Sequence, residues 1–475
     1  MLIVSDRFRW AYVQLDTLRR VLPSSIRKAL NELPITLDET YEQTLQRIPK
    51  EKQRHAHRLL QCLVAAIRPL RVEELGQIFA MGFDTDATPT VESWRLDDLE
   101  EAMLSACSNL IVTIDHEGSK VVQFSHFTVK EFLVSDRLRM LEVDAICQYH
   151  IPIDVAHTIL AQACLKVLLQ LDANIDKKRL SMFPLALYAA QYLPDHAKYE
   201  DVASLVQDDM EQLFNPNEPY LAAWVWLHDL DRNRDQQSID RLTDRPSHPE
   251  ETALYYAVSC GLSGPTEYLI SAHGQDVNSK CSTGRTLLGV VSGKGDLGAV
   301  SLLLRHGADV HLTSEQERTP LCEAYGGGHV GVMLLLLENG AALDVRYDHV
   351  GHLTYHAACL GRAKEMRLLL EHGADVNAIS RFNCTPLHWA SAAGHANVVE
   401  ILLERGADIN AMSDFGTPLF LASYMGVLNV TSLLIERKVD MHIRGINNLT
   451  PFQAAEGRGK AQVAKLLSEH GGKSE

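Results

Sequence analysis

The sequence predicts a mostly α-helical protein whose second half is a solenoid of short, stacked helix pairs. Residues in that half recur with a period of about 33. A Thr-Pro-Leu motif begins at Thr319, Thr385 and Thr417. One glycine series falls at positions 261, 295, 328, 361, 394, 426 and 459, and another at 274, 307, 340, 373, 406 and 471. Because separate series share one spacing, we predict structural repeats that stack on their neighbours.

Each series suits one element of a helix pair. The threonine of the motif is a favourable N-cap, and the proline fits the first helical position, where its missing N–H needs no partner. The first glycine series ends this helix in the left-handed conformation. The following run, such as residues 398–405, has apolar residues at helical spacing before Gly406, which predicts a second helix.

The repeat resembles the ankyrin family. The similarity is clearest in Cys384-Thr385-Pro386-Leu387-His388-Trp389-Ala390, followed by Gly394-His395. It covers residues 249–475 and implies about seven repeats joined by projecting hairpins. Two repeats depart from the pattern: Lys438 stands where a glycine is expected, and residues 352–356 fit the Thr-Pro-Leu-His position only ambiguously, by one residue. We expect local distortion there.

The N-terminal half predicts helices followed by a β-hairpin. Thr36 and Glu39 suit a capping box for a helix that runs to about Ile48. Three later helices precede two strands, and Asp115-His116-Glu117-Gly118 supplies the turn between the strands. This order predicts a winged helix. The predicted helices cover residues 10–22, 26–33, 55–67, 72–81 and 96–108, and the strands cover 110–114 and 121–125.

The predicted organisation has five parts. A helical segment (1–50), a winged helix (51–140) and a helical domain (141–230) precede a polar linker (231–248) and the ankyrin repeats (249–475).

A winged helix also suggests a DNA-binding regulator, whose third helix would enter the major groove. Its charge argues against this alternative, because residues 96–108 contain four carboxylates and no Lys or Arg. The whole chain carries a net charge of -16. We therefore expect neither nucleic acid nor a membrane surface as a partner.

Residues 22–34, 37–41 and 124–133 resemble the segment that follows the nucleotide-binding module of fungal NACHT-ankyrin proteins, which are NOD-like STAND ATPases. The resemblance implies a switch in which nucleotide exchange controls a repeat sensor. No glycine-rich P-loop with its Lys and Ser/Thr precedes the winged helix in this sequence. We therefore expect a member that has lost its ATPase module, or a gene model that begins after it. An associated nucleotide-binding domain is then a further candidate partner.

The resemblance also implies that His126 reads the phosphate of bound ADP when a nucleotide domain is supplied. The alternative is that His126 caps the helix that runs to about Arg137. We find no metal-binding, nucleophile-elbow or Cys/His signature, and expect no enzyme activity, metal or cofactor. Nine cysteines without a CxxC pair indicate a reducing compartment, the cytoplasm or the nucleus.

The predicted function is a protein-protein interaction scaffold or sensor whose partner lies on the concave face of the ankyrin stack. In such stacks the hairpin tips and inner helices carry specificity. Arg381 with Phe382 is the most convincing pair, since arginine and aromatic residues are enriched at interface hot spots. The predicted partner-binding residues are Ser282, Thr283, Arg285, Glu315, Gln316, Arg318, Arg381, Phe382, Cys384, Ala392 and Ala393.

Overall fold

The computed structural model describes residues 36–81, 107, 110–116, 118–140, 144–171, 175–228, 251–343 and 352–472. The chain divides into two compact units: one contains the residues up to Ala253 together with Gly264–Leu269, and the other contains Leu254–Ser263 and the residues from Ile270 onward. Both units are built mostly from α-helices, so the predicted fold class is confirmed. The helices predicted over 10–22 and 26–33, the third helix of the winged helix apart from Cys107, and the linker lie outside the described residues.

The first described helix begins where its capping residue predicts. The Thr36 hydroxyl accepts a hydrogen bond from the backbone N–H of Glu39 at 3.2 Å. The helix ends at Gln46, two residues before the predicted end. In the winged-helix region the helices are α1 (Leu37–Gln46), α2 (Lys50–Ala65), α3 (Val72–Ala80), α4 (Phe127–Val134), α5 (Asp136–Arg139) and α6 (Asp144–Cys147).

The winged-helix sheet has three strands rather than the two that were predicted. Strands β2 (Ile111–His116) and β3 (Ser119–Phe124) form the hairpin, and β1 (Leu70–Arg71) pairs with the other side of β3. Two residues are too short for a sequence pattern, which explains why β1 was missed. His116 pairs with Ser119, so the turn is shorter than the predicted one and contains Gly118, whose φ is +82°.

The helical region after the winged helix has an almost entirely apolar core. Its longest helix packs against α2 and against the helix that begins at Ala186. Trp224 is fully buried within the same region and donates its indole N–H to the carbonyl of Ala190 at 3.1 Å. The helices are α7 (Ile153–Leu168), α8 (Lys177–Leu180), α9 (Ala186–Ala197), α10 (Glu200–Leu205), α11 (Gln207–Phe214) and α12 (Tyr220–Leu227).

A buried ion pair lies where the winged helix meets α9. The carboxylate of Glu74, whose side chain is 1% exposed, accepts hydrogen bonds from the Arg68 guanidinium at 2.6 and 2.8 Å. It also accepts one from the backbone N–H of Arg71 at 2.8 Å. The same guanidinium lies over the ring of Tyr188, 4.9 Å from its centroid. The pair therefore links the start of α3 to α9.

Two buried histidines continue this contact. The Tyr188 hydroxyl lies 3.0 Å from Nε2 of His196, whose Nδ1 lies 2.8 Å from Nδ1 of His157. Burial lowers the pKa of His157 to about 4 and that of His196 to about 3. Both imidazoles are therefore neutral at neutral pH, and one Nδ1–H donates to the other nitrogen.

The described residues after Thr252 form seven helix pairs. In the last six pairs the two short helices contact each other, and the first helices of most neighbouring pairs also pack on one another. The pairs are α13 (Ala253–Ser259) with α14 (Ser263–Ser271), α15 (Leu287–Lys294) with α16 (Leu297–Arg305), α17 (Pro320–Gly327) with α18 (Val330–Glu338), α19 (Leu353–Leu360) with α20 (Ala363–Glu371), α21 (Pro386–Ala393) with α22 (Ala396–Glu404), α23 (Pro418–Met425) with α24 (Leu428–Glu436), and α25 (Pro451–Gly457) with α26 (Ala461–Glu469).

The capping roles predicted for the repeat motif are confirmed. Thr319 and Thr417 are N-caps whose hydroxyls accept from the backbone N–H three residues later, at 3.3 and 3.2 Å. Proline occupies the first position of both helices. Gly394 ends α21 with a φ of 84°.

The helices next to the two departures from the pattern are regular, so the expected distortion is not found in the described residues there. Lys438 takes the left-handed conformation itself, with a φ of 62°, and its N–H still reaches the carbonyl of Ile435 at 2.9 Å. His352 occupies the N-cap position of α19 although its side chain makes no capping hydrogen bond. Helix geometry is kept at both places because stacking on the neighbouring repeats outweighs the local preference of one residue.

We expect Lys438→Gly to raise the free energy of unfolding by about 0.5–1 kcal/mol, because glycine has no Cβ to strain at a positive φ. Thermal unfolding followed by circular dichroism measures the change. Lys465→Gly is the matched control: it places glycine inside α26, where we expect a loss of about 1 kcal/mol. A loss of stability in Lys438→Gly would contradict the assignment of strain to that lysine.

Candidate protein-interaction site

The bases of the hairpins are joined by a ladder of hydrogen bonds from side chain to backbone. Asn377 Oδ1 accepts from the N–H of Asp408, and Asn410 Oδ1 accepts from the N–H of Asp440, both at 3.0 Å. Asn278 does the same for Asp309 at 2.8 Å. The sequence analysis missed this ladder, although Asp-x-Asn at 276–278, 375–377 and 408–410 is its signal. It sets the position of one hairpin against the next.

Several hairpin tips use the left-handed backbone conformation. Gly284 adopts it with a φ of 71°, and Glu317 adopts it at the next hairpin with a φ of 58°. Phe382 has a φ of 63° and is followed by Asn383 at 55°. Asparagine tolerates this conformation, but a bulky aromatic residue rarely adopts it. Backbone strain of this kind concentrates at functional positions, which draws attention to the tip that carries Phe382.

An exposed apolar surface runs across three neighbouring tips. The ring of Phe382 is 47% exposed and lies 5.2 Å from the ring of Phe415 on the next hairpin. The carbonyl of Phe415 accepts from the N–H of Ile446 on the hairpin after that, at 3.1 Å. Ile379 and Met412 are 63% and 54% exposed. We call Ile379, Phe382, Met412, Phe415 and Ile446 the tip row.

A groove lies beside the tip row, between the hairpins that contain Phe382 and Phe415. Its volume is about 560 Å³. Asn383 donates to the Asp414 carboxylate across the groove at 2.7 Å, and the N–H of Asp414 donates to the carbonyl of Phe382 at 3.1 Å. We call this the hairpin groove; it is lined by Asn377, Ile379, Asn383, Thr385, Asp408, Ala411, Met412, Ser413 and Asp414.

Most of the predicted partner-binding residues lie at the surface. Ser282, Thr283, Glu315, Gln316, Phe382 and Ala393 are exposed, and Arg285, Arg318 and Ala392 are half-buried. Arg381 begins a short 3-10 helix, and its side chain lies outside what the structure describes. The structure brings one predicted residue, Phe382, into the tip row.

Cys384 was wrongly predicted to contact a partner. Its side chain is 0% exposed, and burial raises the pKa of its thiol, which hydrogen-bonds to Ser413. Its position before the Thr-Pro-Leu motif predicted that Cys384 lies at the hairpin tip. Cys384 directly precedes the N-cap Thr385, however, and its side chain points into the stack.

Arg285 joins its hairpin to the first helix of the next repeat. Its guanidinium pairs with the carboxylate of Glu323 on α17 at 3.0 Å. The neighbouring hairpins are also joined through the backbone, because the N–H of Glu315 donates to the carbonyl of Gly284 at 3.0 Å. A partner would have to compete with the ion pair to use Arg285.

The repeat histidines stabilise the stack. His388 is fully buried, with Nδ1 bound to Thr385 and Nε2 lying 3.0 Å from the carbonyl oxygen of Gly416. Burial lowers its pKa to about 4. His395 likewise lies 3.0 Å from the carbonyl of Cys359. Across the described ranges no three or more His, Cys, Asp or Glu side chains are grouped to hold a metal.

His126 caps α4, as the alternative reading predicted. Its Nδ1 accepts from the N–H of Thr128 at 3.4 Å and lies 2.8 Å from the Thr128 hydroxyl. That hydroxyl also contacts the hydroxyl of Tyr41 at 2.8 Å. The helix ends at Val134, and Ser135 separates it from α5, so the single helix predicted to reach Arg137 is two helices.

Comparisons with known proteins agree with this architecture. Residues 254–347 and 348–413 match a model of ankyrin repeats in three copies. Residues 41–147 match the winged helix domain of GPI inositol-deacylase. The chain therefore contains ankyrin repeats and an N-terminal winged helix domain.

Two individual proteins are also similar. The azaphilone pigments biosynthesis cluster protein L of Monascus ruber is 29% identical over 259 residues, which cover 52% of this chain and 53% of that protein. The chain thus spans about half the length of this curated relative. The crystal structure of the human ASB11 ankyrin repeat domain is 24% identical, with a TM-score of 0.41, and covers 47% of this chain and 99% of that one.

None of the described helices combines the length and apolar character that a membrane-crossing segment needs.

Proposed function

We propose that this chain is a protein-interaction module that binds its partner through the tip row and the adjoining inner-helix surface. The observation that carries the proposal is the exposure of several large apolar side chains side by side on neighbouring hairpins, with Phe382 held in a strained conformation. Contiguous apolar surface of this kind on a folded protein marks interaction sites.

Two features support a binding role rather than poor packing. The hairpins beneath the tip row are tied by the hydrogen bonds of Asn377 and Asn410. The inner helices below them are fully packed, since Leu387, Leu419 and Ala422 are 0% exposed. The apolar side chains thus project from an ordered base, which reduces the entropy that a partner must remove on binding.

Phe382→Gly tests this proposal. Glycine keeps the positive φ without strain, so we expect an unchanged or slightly higher thermal midpoint together with at least tenfold weaker partner capture. Capture is measured with the full chain as bait in a cell extract, by quantitative mass spectrometry of the proteins retained.

Glu317→Gly is the matched control, because it changes another exposed, left-handed tip residue outside the tip row. A partner must be retained by this control and by the parent chain, and lost from Phe382→Gly. Equal retention by all three chains would contradict the role of the tip row. A lower thermal midpoint in Phe382→Gly would assign the loss to folding.

We further propose that the module derives from a NACHT-ankyrin receptor, has no enzyme activity of its own and acts in the cytoplasm or nucleus. The support is the order of a winged helix domain and ankyrin repeats in one chain, together with the resemblance of residues 124–133. In such a receptor His126 would face a nucleotide-binding domain. Mapping the transcript checks this: an in-frame P-loop segment encoded upstream of Met1 would support the receptor origin and assign ATPase activity to the longer product.

A further inference from the structure

We infer that the hairpin groove takes a short extended segment of a partner protein, one that places a Lys or Arg beside an aliphatic side chain. This inference rests on the proposed protein-binding function and names the chemistry of the partner. The argument has three parts: the charge of the groove, its apolar surface and its polar atoms.

The groove is negatively charged. Asp408 and Asp414 line it and are both exposed. Within the residues that the structure describes, no Lys or Arg forms an ion pair with either carboxylate. The surrounding chain adds to this field through its net charge of -16. A cationic side chain is therefore favoured in the groove and an anionic one is repelled.

The apolar part of the groove lies next to these carboxylates. Ile379 on one hairpin and Met412 on the other line the groove, and both are more than half exposed. Met412 is two residues away from Asp414 in sequence. An aliphatic side chain of the partner can thus be buried against Ile379 and Met412 while its neighbour reaches a carboxylate. Methionine suits such a surface because its unbranched side chain adapts to several shapes.

Two amides offer hydrogen bonds that an extended backbone can use. Asn377 engages Oδ1 in the ladder, and Asn383 engages Nδ2 with Asp414. This leaves the Nδ2 of Asn377 to donate and the Oδ1 of Asn383 to accept. An extended segment presents carbonyl and N–H groups along its length, which such a donor and acceptor complement. The groove volume of about 560 Å³ is within the range of sites that enclose small ligands, so it holds a few residues rather than a folded element.

The test uses the full chain and a phage-displayed library of random decapeptides. We expect enrichment of peptides in which Lys or Arg adjoins Leu, Ile, Met or Phe. The most enriched peptide is then synthesised with a fluorescent label, and its affinity for variant chains is measured by anisotropy. Met412→Ser is expected to weaken this peptide about tenfold, and Asp408→Asn and Asp414→Asn about two- to fivefold each.

The chain offers a matched control for each variant. Met182 is 72% exposed in the helical region before the repeats and lies outside the groove, so Met182→Ser removes exposed apolar surface elsewhere. Asp440 is exposed and accepts from the N–H two residues later, as Asp408 does, but does not line the groove. We expect Met182→Ser and Asp440→Asn to leave the affinity within twofold of the parent chain.

Three results would overturn the inference: no enrichment, enrichment of acidic or uncharged peptides, or equal effects of the groove variants and their controls. If Met182→Ser weakens peptide binding and Met412→Ser does not, the inference fails while the proposed function stands. A different result would contradict the proposed function: the parent chain and Phe382→Gly would capture all proteins equally.

Discussion

Replacing Glu74 with alanine is expected to lower the free energy of unfolding of the N-terminal unit by about 3–5 kcal/mol. The substitution leaves the Arg68 guanidinium without its anion in a site where that side chain is only 16% exposed. It also leaves the backbone N–H of Arg71 without its acceptor. An unpaired buried charge costs far more than the favourable energy that the pair contributes, so the loss exceeds that of an ordinary surface ion pair.

Urea unfolding followed by tryptophan fluorescence measures this change. Four of the five tryptophans, at positions 10, 94, 224 and 226, precede the repeats, so the signal reports mainly on this unit. Asp38→Asn is the control: it breaks the exposed pair with Arg137, whose side chains are 36% and 61% exposed, at an expected cost below about 1 kcal/mol. Similar losses in the two variants would mean that the Arg68–Glu74 pair is not effectively buried.

Acid is expected to destabilise the same unit through its buried histidine pair, by about 3 kcal/mol for each of the two histidines between pH 7 and pH 4. Burial lowers the pKa of His157 to about 4 and that of His196 to about 3, whereas both titrate near 6.5 when the chain is unfolded. The unfolded chain therefore binds protons first as the pH falls. The stability that the neutral pair contributes is complete above pH 6.5 and is lost as the pH falls toward these lowered values.

His196→Gln removes one titrating group and can still hydrogen-bond to the hydroxyl of Tyr188. We expect the decrease in unfolding free energy between pH 7 and pH 4 to fall by about half in this variant. His442→Gln, at an exposed position in the repeats, should leave the decrease at its parental value. A pH series of urea unfolding curves measures this decrease. An unchanged decrease in His196→Gln would assign the acid sensitivity to other groups of the unit, such as His57, whose pKa is also lowered by burial.

The repeats were predictable because their signals are local and occur many times. Thr319 and Thr417 each cap a helix by accepting a hydrogen bond from the backbone N–H three residues later. Gly394 ends a helix in the left-handed conformation, which a Cβ disfavours. The sequence did not predict that Cys384 is buried, because the direction of a side chain beside an N-cap depends on the packing of the whole stack. Lys438 shows the reverse case, since the fold imposed a conformation that its residue type disfavours.

The contacts that assemble the N-terminal unit and the hairpin groove could not be predicted from the sequence. Glu74 and Tyr188 are distant in sequence, and neither belongs to a motif that predicts a shared guanidinium. The groove likewise depends on two hairpins that approach each other across a whole repeat. Phe382 was identified as an aromatic residue at a tip, but its contact with Phe415 depends on how the ladder aligns the hairpins.

In many loops the same residues fix the position of the loop and bind a partner. Here the ladder of asparagine and aspartate fixes the hairpins, and the tip residues are separate from it. Its hydrogen bonds hold the bases of the hairpins, whereas Ile379, Phe382, Met412 and Ile446 of the tip row are exposed. Evolution can therefore exchange tip residues without a cost to the repeats, and a protein engineer can do the same. Related chains with the same bases and different tips would then recognise different proteins, so that one scaffold gives rise to a repertoire.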